Sequence, residues 1–281
     1  MKTKLESTMK LIFLLAASVS VAAVALICFF MFANGVPAMQ KIGFGNFLLG
    51  MKWKPEIDLC GIFPMIVGSL VVTVGAIILG VPFGIMTAIY MARFCPAKFY
   101  PVMKHGVNLL AGIPSVVYGF FGLTAIVPII RSVFGGSGTS ILAASIVLAI
   151  MILPTIISVS ETSLRAVPEL YYEGSLALGA CKERSVFFAE LLAAKSGIIA
   201  GIILGVGRAV GETMAVIMVA GNQAVMPRGL VKGIRTLTAN IVLEMGYAAG
   251  LHREALIATS VVLFFFILII NFVFMMTKKK A

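Results

Sequence analysis

Ser196-Gly-Ile-Ile-Ala-Gly-Ile-Ile-Leu-Gly205-Val-Gly207-Arg208-Ala-Val-Gly211-Glu212-Thr213-Met214-Ala-Val-Ile-Met-Val-Ala220 is a 25-residue apolar run interrupted by one arginine and one glutamate. A run of this length is enough to cross about 30 Å of hydrocarbon as a helix. A charge at that depth costs about 2.5–3.5 kcal/mol on insertion scales, so intramembrane charges mark function by default. Four residues separate Arg208 from Glu212. On one continuous helix they would share a face, one turn apart. The pattern has two readings: a guanidinium that receives an anion, or an ion pair that fastens one helix to another.

The rest of the chain has the same character. Of its 281 residues, 60% are hydrophobic and 12% charged, with a mean hydropathy of +1.10. Soluble domains are nearer 45–50% apolar and 25% charged. The composition therefore predicts an all-α polytopic membrane protein of about six transmembrane helices. They are expected near Leu11–Ala33, Gly61–Met91, Val107–Ile130, Ser140–Ser160, Ser196–Ala220 and Ala255–Met276. Pro82 and Gly84 are expected to kink or interrupt the second, and Pro154 stands near the end of the fourth. The first span follows Lys2, Lys4 and Lys10. Its apolar core is longer than a signal peptide's, which favours an uncleaved anchor.

Residues 1–60 thus read as an anchor helix and first outer loop, and 61–281 as the core. Lysines at the amino terminus and at Lys278-Lys279-Lys280 place both termini in the cytoplasm by the positive-inside bias. This puts Arg93–Gly106 and Glu161–Lys195 inside, and Asn34–Cys60, Arg131–Thr139 and Gly221–Glu254 outside. Arg228, Lys232, Arg235 and Arg253 in the last outer segment would attract an anion to the outer mouth. Leu237–Tyr247, in that segment, is apolar enough to dip back toward the membrane where protein lines it.

The net charge of +11 is spread over segment ends, as topology and anionic lipid require, and makes no nucleic-acid surface. Cys28, Cys60, Cys95 and Cys181 have neither metal-ligand nor disulfide-framework spacing. His105 and His252 stand alone, as interfacial polar residues rather than ligands. No phosphate loop, metalloprotease or nucleophile-elbow motif is present, so no catalytic residues, metal or cofactor are assigned to this chain. Gly201/Gly205 and Gly207/Gly211 have the Gly-x-x-x-Gly spacing that lets helix backbones touch. The methionines, Met214, Met218 and Met275 among them, read as adaptable packing.

The cytoplasmic segment 161–195 carries the clearest docking signal. Pro168 suits a helix start, Glu169–Leu178 continues it, Gly179 supplies a turn, and Lys182–Ala194 makes a second helix into the fifth span. Such a protruding pair can grip a soluble partner or rest on lipid.

Glu173-Gly174-Ser175-Leu-Ala-Leu178-Gly179 resembles the EAA loop of ABC importer permeases, whose fold is of the MetI-like kind. Gly174 and Ser175 replace two alanines, and Leu191-Leu192 stands where the family has Leu-Pro. Four further stretches resemble the PstC-type permeases of bacterial phosphate importers. They are Ala111-Gly-Ile-Pro-Ser115-Val-Val-Tyr118-Gly119, Met151-Ile-Leu-Pro-Thr-Ile-Ile-Ser-Val-Ser-Glu161, Arg208-Ala-Val-Gly-Glu-Thr-Met-Ala-Val216 and Thr236-Leu-Thr-Ala-Asn-Ile241. The resemblance runs from about Gly61 to the carboxyl terminus and is weakest over the first span. The Arg-Ala-x-Gly-Glu-Thr-Met stretch is its most specific part, shared in part with PstA-type permeases.

That resemblance implies partners: a PstA-type second permease, two PstB-type ATPases that use ATP and Mg, and a periplasmic phosphate-binding protein. It implies inorganic phosphate as cargo and a bacterial inner membrane as the location. Glu173, Gly174, Ser175 and Gly179 would couple to the ATPase. Arg208 would take the phosphate, with Glu212 either excluding sulfate and resting against Arg208 when the site is empty, or never meeting substrate and only orienting Arg208. Thr213, Ser115 and Tyr118 would offer hydroxyls along the path, or simply bond backbone. Rival readings are a permease for sulfate or molybdate, an ATPase-independent secondary transporter or anion channel, and a non-transporting scaffold.

Overall fold

In the computed structural model the backbone is described for residues 2–279, and side chains for residues 6–273 and for Met276. The sequence expectations for Lys2, Lys4, Met275 and Lys278–Lys280 lie outside the described side chains. Five helices are long and apolar enough to span a membrane: Glu6–Ile42, Phe63–Phe94, Ser115–Phe134, Ile141–Arg165 and Gly250–Val273. A bent pair, Lys182–Ala193 and Lys195–Gly211, makes a sixth when taken as one span.

The chain opens with α1 (Lys2–Ile42), whose 41 residues would extend about 60 Å. Only its last turns enter the core, where Ala38 and Met39 are buried. α2 (Phe44–Leu49) and a two-stranded hairpin, β1 (Trp53–Lys54) paired antiparallel with β2 (Leu59–Cys60), connect it to α3 (Phe63–Ile89). α3 contains Pro82 without interruption and continues into a π-helical turn, Tyr90–Phe94. An interruption at Pro82 or Gly84 is therefore not found.

The third span is shorter than expected. α4 (Tyr100–Gly112) is a separate helix, and the chain extends through Ile113 and Pro114 before α5 (Ser115–Phe121) begins. Proline disfavours helical backbone at the residue before it, so the break falls at Ile113 and the span starts at Ser115 rather than Val107. A π turn, Gly122–Ile126, joins α5 to α6 (Val127–Phe134).

α7 (Ile141–Arg165) is the central post. Ser140 caps it by accepting from the Ala143 amide, and most of its inward face is buried. α3 packs along it through small residues. A methyl added at Gly80 would sit 2.9 Å from Ile152 Cδ1, and one at Gly84 would sit 2.8 Å from Ile156 Cγ2. Overfilling such a contact costs about 1–3 kcal/mol.

α8 (Glu169–Ala177), α9 (Lys182–Ser185), a π turn at Val186–Glu190 and α10 (Leu191–Ala193) build the loop between the fourth and fifth spans. The chain then bends by 71° into α11 (Lys195–Gly211). Gly201 and Gly205 lie against Val159 and Ile156 of α7, as their spacing predicts. Gly207 and Gly211 have open space where a side chain would go, so the second Gly-x-x-x-Gly pair packs on nothing within the described chain.

α12 (Met214–Val219) follows after a break, then a long connection leads to α13 (Leu237–Met245) and α14 (Gly250–Lys279). α13 has Leu237, Thr238, Ala239, Asn240 and Glu244 buried. The segment Leu237–Met245 therefore packs into the protein. α14 runs beside α1, where a methyl at Gly35 would come within 2.7 Å of Val261 Cγ2.

Candidate functional site: a broken span beside a hydroxyl-lined crevice

The fifth span does not run unbroken past its charges. α11 ends at Gly211, Glu212 is extended (φ −70°, ψ 132°), and α12 restarts at Met214. Arg208 and Glu212 therefore do not stack on one helical face, and no ion pair joins them among the described residues. The expectation of a resting Arg208–Glu212 pair is corrected. The reason is local: Gly211 ends the helix, and each charge then complements a different helix end. Arg208 lies in the last turn of α11, at the negative end of its dipole. The Glu212 Oε1 accepts from the Ala215 amide at 3.1 Å, satisfying a first-turn donor of α12.

Arg208 is half-buried and has neither an ion-pair nor a hydrogen-bond partner among the described residues. It lies within electrostatic range of the Tyr118 hydroxyl. Its helix neighbours Gly207 and Gly211 leave open space around the break. The other charged groups near the core are treated differently. Glu161 and Glu190 are at most 1% exposed and each meets a cation.

Tyr118 and Ser115 reach this region on α5, which packs on α12 through Gly119: a methyl there would lie 2.8 Å from the Ala215 Cα. The Tyr118 hydroxyl donates to the Leu110 carbonyl at 2.7 Å, closing the break between α4 and α5. Thr213 donates to the Gly211 carbonyl at 3.3 Å across its own break. For these two the backbone-bonding alternative is the one the structure adopts. Ser115 is half-buried at the start of α5.

The crevice beside Glu212 was not legible from sequence. It is a narrow gap of about 10 Å³, too small for an anion as it stands, lined by Ser69 and Thr73 of α3, Thr236 and Thr238 at the start of α13, and Ala209 and Val216 on either side of the break. Thr238 Oγ1 donates to the Glu212 carbonyl at 3.1 Å, and Ser69 Oγ accepts from the Leu237 amide at 2.9 Å. Thr236 caps α13 by accepting from the Ala239 amide. The quoted Thr236–Ile241 stretch thus meets the Arg208–Val216 stretch in space, and α3 joins them from a region where no motif was quoted.

Within α13, Glu244 collects three donors: Trp53 Nε1 at 2.7 Å, His252 Nε2 at 2.8 Å, and Arg235 Nη1. Arg235 also donates to the Asn240 side chain and the Asn222 carbonyl. Arg235 is thereby spent on holding α13, so it is not a free cation for steering anions. Arg228 and Lys232 remain exposed and line an outer pocket with Gln223 and Gly233. His252 belongs to this cluster and is not an isolated interfacial residue.

In the segment Glu173–Gly179 the turn expected at the glycine is present. Gly179 has φ +86°, the left-handed turn that a glycine adopts cheaply, and it lies two residues past the end of α8. Glu173 and Gly174 are exposed and Ser175 half-exposed. Leu170, Tyr171, Leu178 and Phe188 add a projecting apolar surface, Leu178 being 91% exposed. Among the described residues no cluster of His, Cys, Asp or Glu is able to hold a metal, and the four cysteines are unpaired.

A bundle of spanning helices with a protruding two-helix loop and a broken span at its centre defines a membrane permease. The chain belongs to the binding-protein-dependent transport system inner membrane component family, whose model matches residues 80–279. It is 37% identical over 267 residues to the "Probable ABC transporter permease protein YqgH" of Bacillus subtilis, covering 91% of this chain and 86% of that protein. It is 32% identical over 255 residues to the "Phosphate transport system permease protein PstC" of Mesorhizobium japonicum, covering 83% and 78%. Its fold is that of the permease in the inward-facing MetNI methionine ABC transporter (TM-score 0.64, 20% identity, covering 82% of this chain and 99% of that one). A bacterial alginate importer gives a TM-score of 0.61 at 13% identity over 99% of both chains. The protein is thus a non-catalytic, multi-pass permease subunit with the ABC importer (MetI-like) fold.

Proposed function

We propose that this chain is the PstC-type half of an ATP-driven importer of inorganic phosphate. The observation that carries the reading is Arg208. It is a half-buried guanidinium with no ion-pair or hydrogen-bond partner among the described residues, at a break in a spanning helix, in a chain similar to permeases named for phosphate transport. A buried cation is tolerated when a counter-charge meets it, and a transported anion supplies one transiently. The planar fork binds two phosphate oxygens and keeps its charge when desolvated.

Glu212 fits two roles that its geometry makes compatible. One carboxylate oxygen caps α12, and the residue also lines the hydroxyl crevice. At neutral pH phosphate retains a proton that a carboxylate accepts, whereas sulfate has none to give, so the same group disfavours sulfate.

In this reading a periplasmic phosphate-binding protein delivers cargo at the outer side, near Arg228 and Lys232. A PstA-type permease completes the path, facing the open side of α11 at Gly207 and Gly211. Two PstB-type ATPases, using ATP and Mg, grip the segment around Glu173–Gly179. Both termini lie in the cytoplasm, and the complex sits in the bacterial inner membrane. ATP binding and release then rock the two permeases between outward- and inward-open states.

The test is uptake of radiolabelled phosphate into vesicles containing all the subunits and ATP. ATP-dependent phosphate uptake that requires Arg208 supports the reading. Uptake of sulfate or molybdate in preference to phosphate reassigns the cargo, and uptake without the ATPase overturns the class.

A further inference from the structure

Both ends of the cytoplasmic loop are fastened to one place, the π-helical turn that ends α3. At the loop's entry, Arg165 Nη2 donates to the Met91 carbonyl at 2.9 Å, and Arg93 Nη2 donates to the Leu164 carbonyl at 3.0 Å. At its exit, Glu190 is fully buried, with its Oε1 2.6 Å from Arg93 Nη2. No N–H of the fork is well aimed at that carboxylate, and Arg93 Nε has no partner. Glu190 lies in a second π turn, so a π turn faces a π turn across the pair. A π turn inserts one residue into a helix and often marks a functional position. α4 braces the entry side, where Glu161 takes Tyr100, Lys104 and Arg165 together.

The opposite end of α3 reaches the crevice. Ser69 and Thr73 line it, and Ser69 holds the start of α13 through the Leu237 amide. From Thr73 to Arg93 is 20 residues of unbroken helix and π turn, about 30 Å at 1.5 Å per residue. Between them the α3 glycines bring it into backbone-close contact with α7.

We propose that Arg93 and Glu190 are positioning residues that transmit movement of the loop through α3 to the helix break at Glu212. This rests on the loop being the ATPase dock and adds the route by which its motion reaches the cargo. Arg93 holds the loop's exit through Glu190 and its entry through Leu164, so displacing the loop without α3 would strand a buried charge. The loop and the end of α3 therefore move as one body. The break at Glu212, where only single hydrogen bonds cross, is free to respond.

The experiment uses the full complex with Glu190→Gln and Arg93→Gln, and their combination. Each single variant should keep its ATPase subunits on purification yet deliver roughly tenfold less phosphate per ATP hydrolysed, because one buried charge loses its mate. The double variant should be less impaired than the product of the two, since no charge is then stranded. A merely structural brace would reduce assembly and hydrolysis together and leave the ratio unchanged. That result, or an unchanged ratio in both singles, overturns the proposal.

If the neutral variants fail to assemble, Arg93→Lys carries the test. It keeps the charge but carries it on an ammonium with a different reach from the Nη2 nitrogen that meets both the Leu164 carbonyl and Glu190, and should lose roughly threefold in the same ratio. Unaltered coupling in Arg93→Lys then overturns the strut. A readout independent of cargo is the ATP-dependent change in thiol labelling of Thr73→Cys in a background lacking the native cysteines. That change should disappear with Glu190→Gln, and its persistence refutes the strut. Absence of phosphate uptake by the unmodified complex counts instead against the assigned cargo.

Discussion

Two regions of this molecule place charged side chains in apolar surroundings and dispose of them in opposite ways. At the ends of α3 and α7 nearest the 161–195 loop, Glu161 and Glu190 are at most 1% exposed, and each is met by arginine or lysine. At the break between α11 and α12, Arg208 is half-buried with no ion-pair or hydrogen-bond partner among the described residues, although Glu212 is four residues away. Pairing locks helices together, while an unpaired cation at a break leaves a place for something that comes and goes. On the proposed reading, the difference separates a joint between helices from a site that receives cargo.

The contrast is broken most severely at Arg208. Arg208→Gln should reduce phosphate uptake by roughly hundredfold in a normally assembled complex, because a neutral amide cannot offset the desolvation of an anion. Arg208→Lys should recover only part, lacking the bidentate fork. Full uptake by the Gln variant would make this charge structural, like those beside the 161–195 loop.

Glu161→Gln attacks the opposite region. It leaves Lys104 and Arg165 without their shared carboxylate and should lower stability by about 2–3 kcal/mol, less than a wholly buried pair because both cations retain water contact. Thermal unfolding of the purified complex in detergent measures this. An unchanged midpoint would mean the cluster is not a lock.

Gly179→Val is expected to weaken ATPase association by roughly tenfold, since a β-branched residue at φ +86° costs about 1–2 kcal/mol. Open space surrounds Gly179, so the penalty comes from the backbone alone. Normal co-purification of the ATPase would remove the loop's assignment.

Glu212→Gln sharpens the contrast more gently. The amide oxygen can still accept from Ala215, so α12 keeps its cap and phosphate uptake should fall only a few-fold. The ratio of phosphate to sulfate uptake should drop, and a constant ratio would leave capping as the whole role.

The smallest effect is a labelling difference between two cysteines. Cys181 is exposed on the loop, whereas burial, with Asp58 and Glu244 nearby, pushes the Cys60 thiol up to about 11. At neutral pH roughly one Cys60 in ten thousand is then a thiolate. A membrane-impermeant maleimide should modify Cys181 from the cytoplasmic side and leave Cys60 untouched. Labelling of Cys181 from the outside would invert the proposed topology.

Hydropathy alone was sufficient for the number of spans, because about 20 apolar residues must form a helix in hydrocarbon to satisfy their backbone. Intramembrane charge singled out Arg208 and Glu212 by the same energetics. Glu161 and Glu190 carried that signal too, but lying near segment ends they read as ordinary flanking charges. Gly179 was legible because a turn glycine acts through its own backbone. The break after Gly211 and the start of the third span at Ser115 were not. Helical spacing was projected through positions where a proline restricts its neighbour or a glycine ends the helix.

What the sequence determined by itself, then, is what depends on local cost: which segments enter the membrane, where the docking loop turns, and which charges stand out. Tertiary structure alone decided the rest. It set Ser69 and Thr73 of α3 beside Glu212 and Thr238, turned Arg235 inward to Glu244, and brought Arg93 to Glu190 nearly a hundred residues away. Those pairings come from close packing between distant helices, where one glycine face or one break selects the partner, and no periodicity within a single segment encodes them.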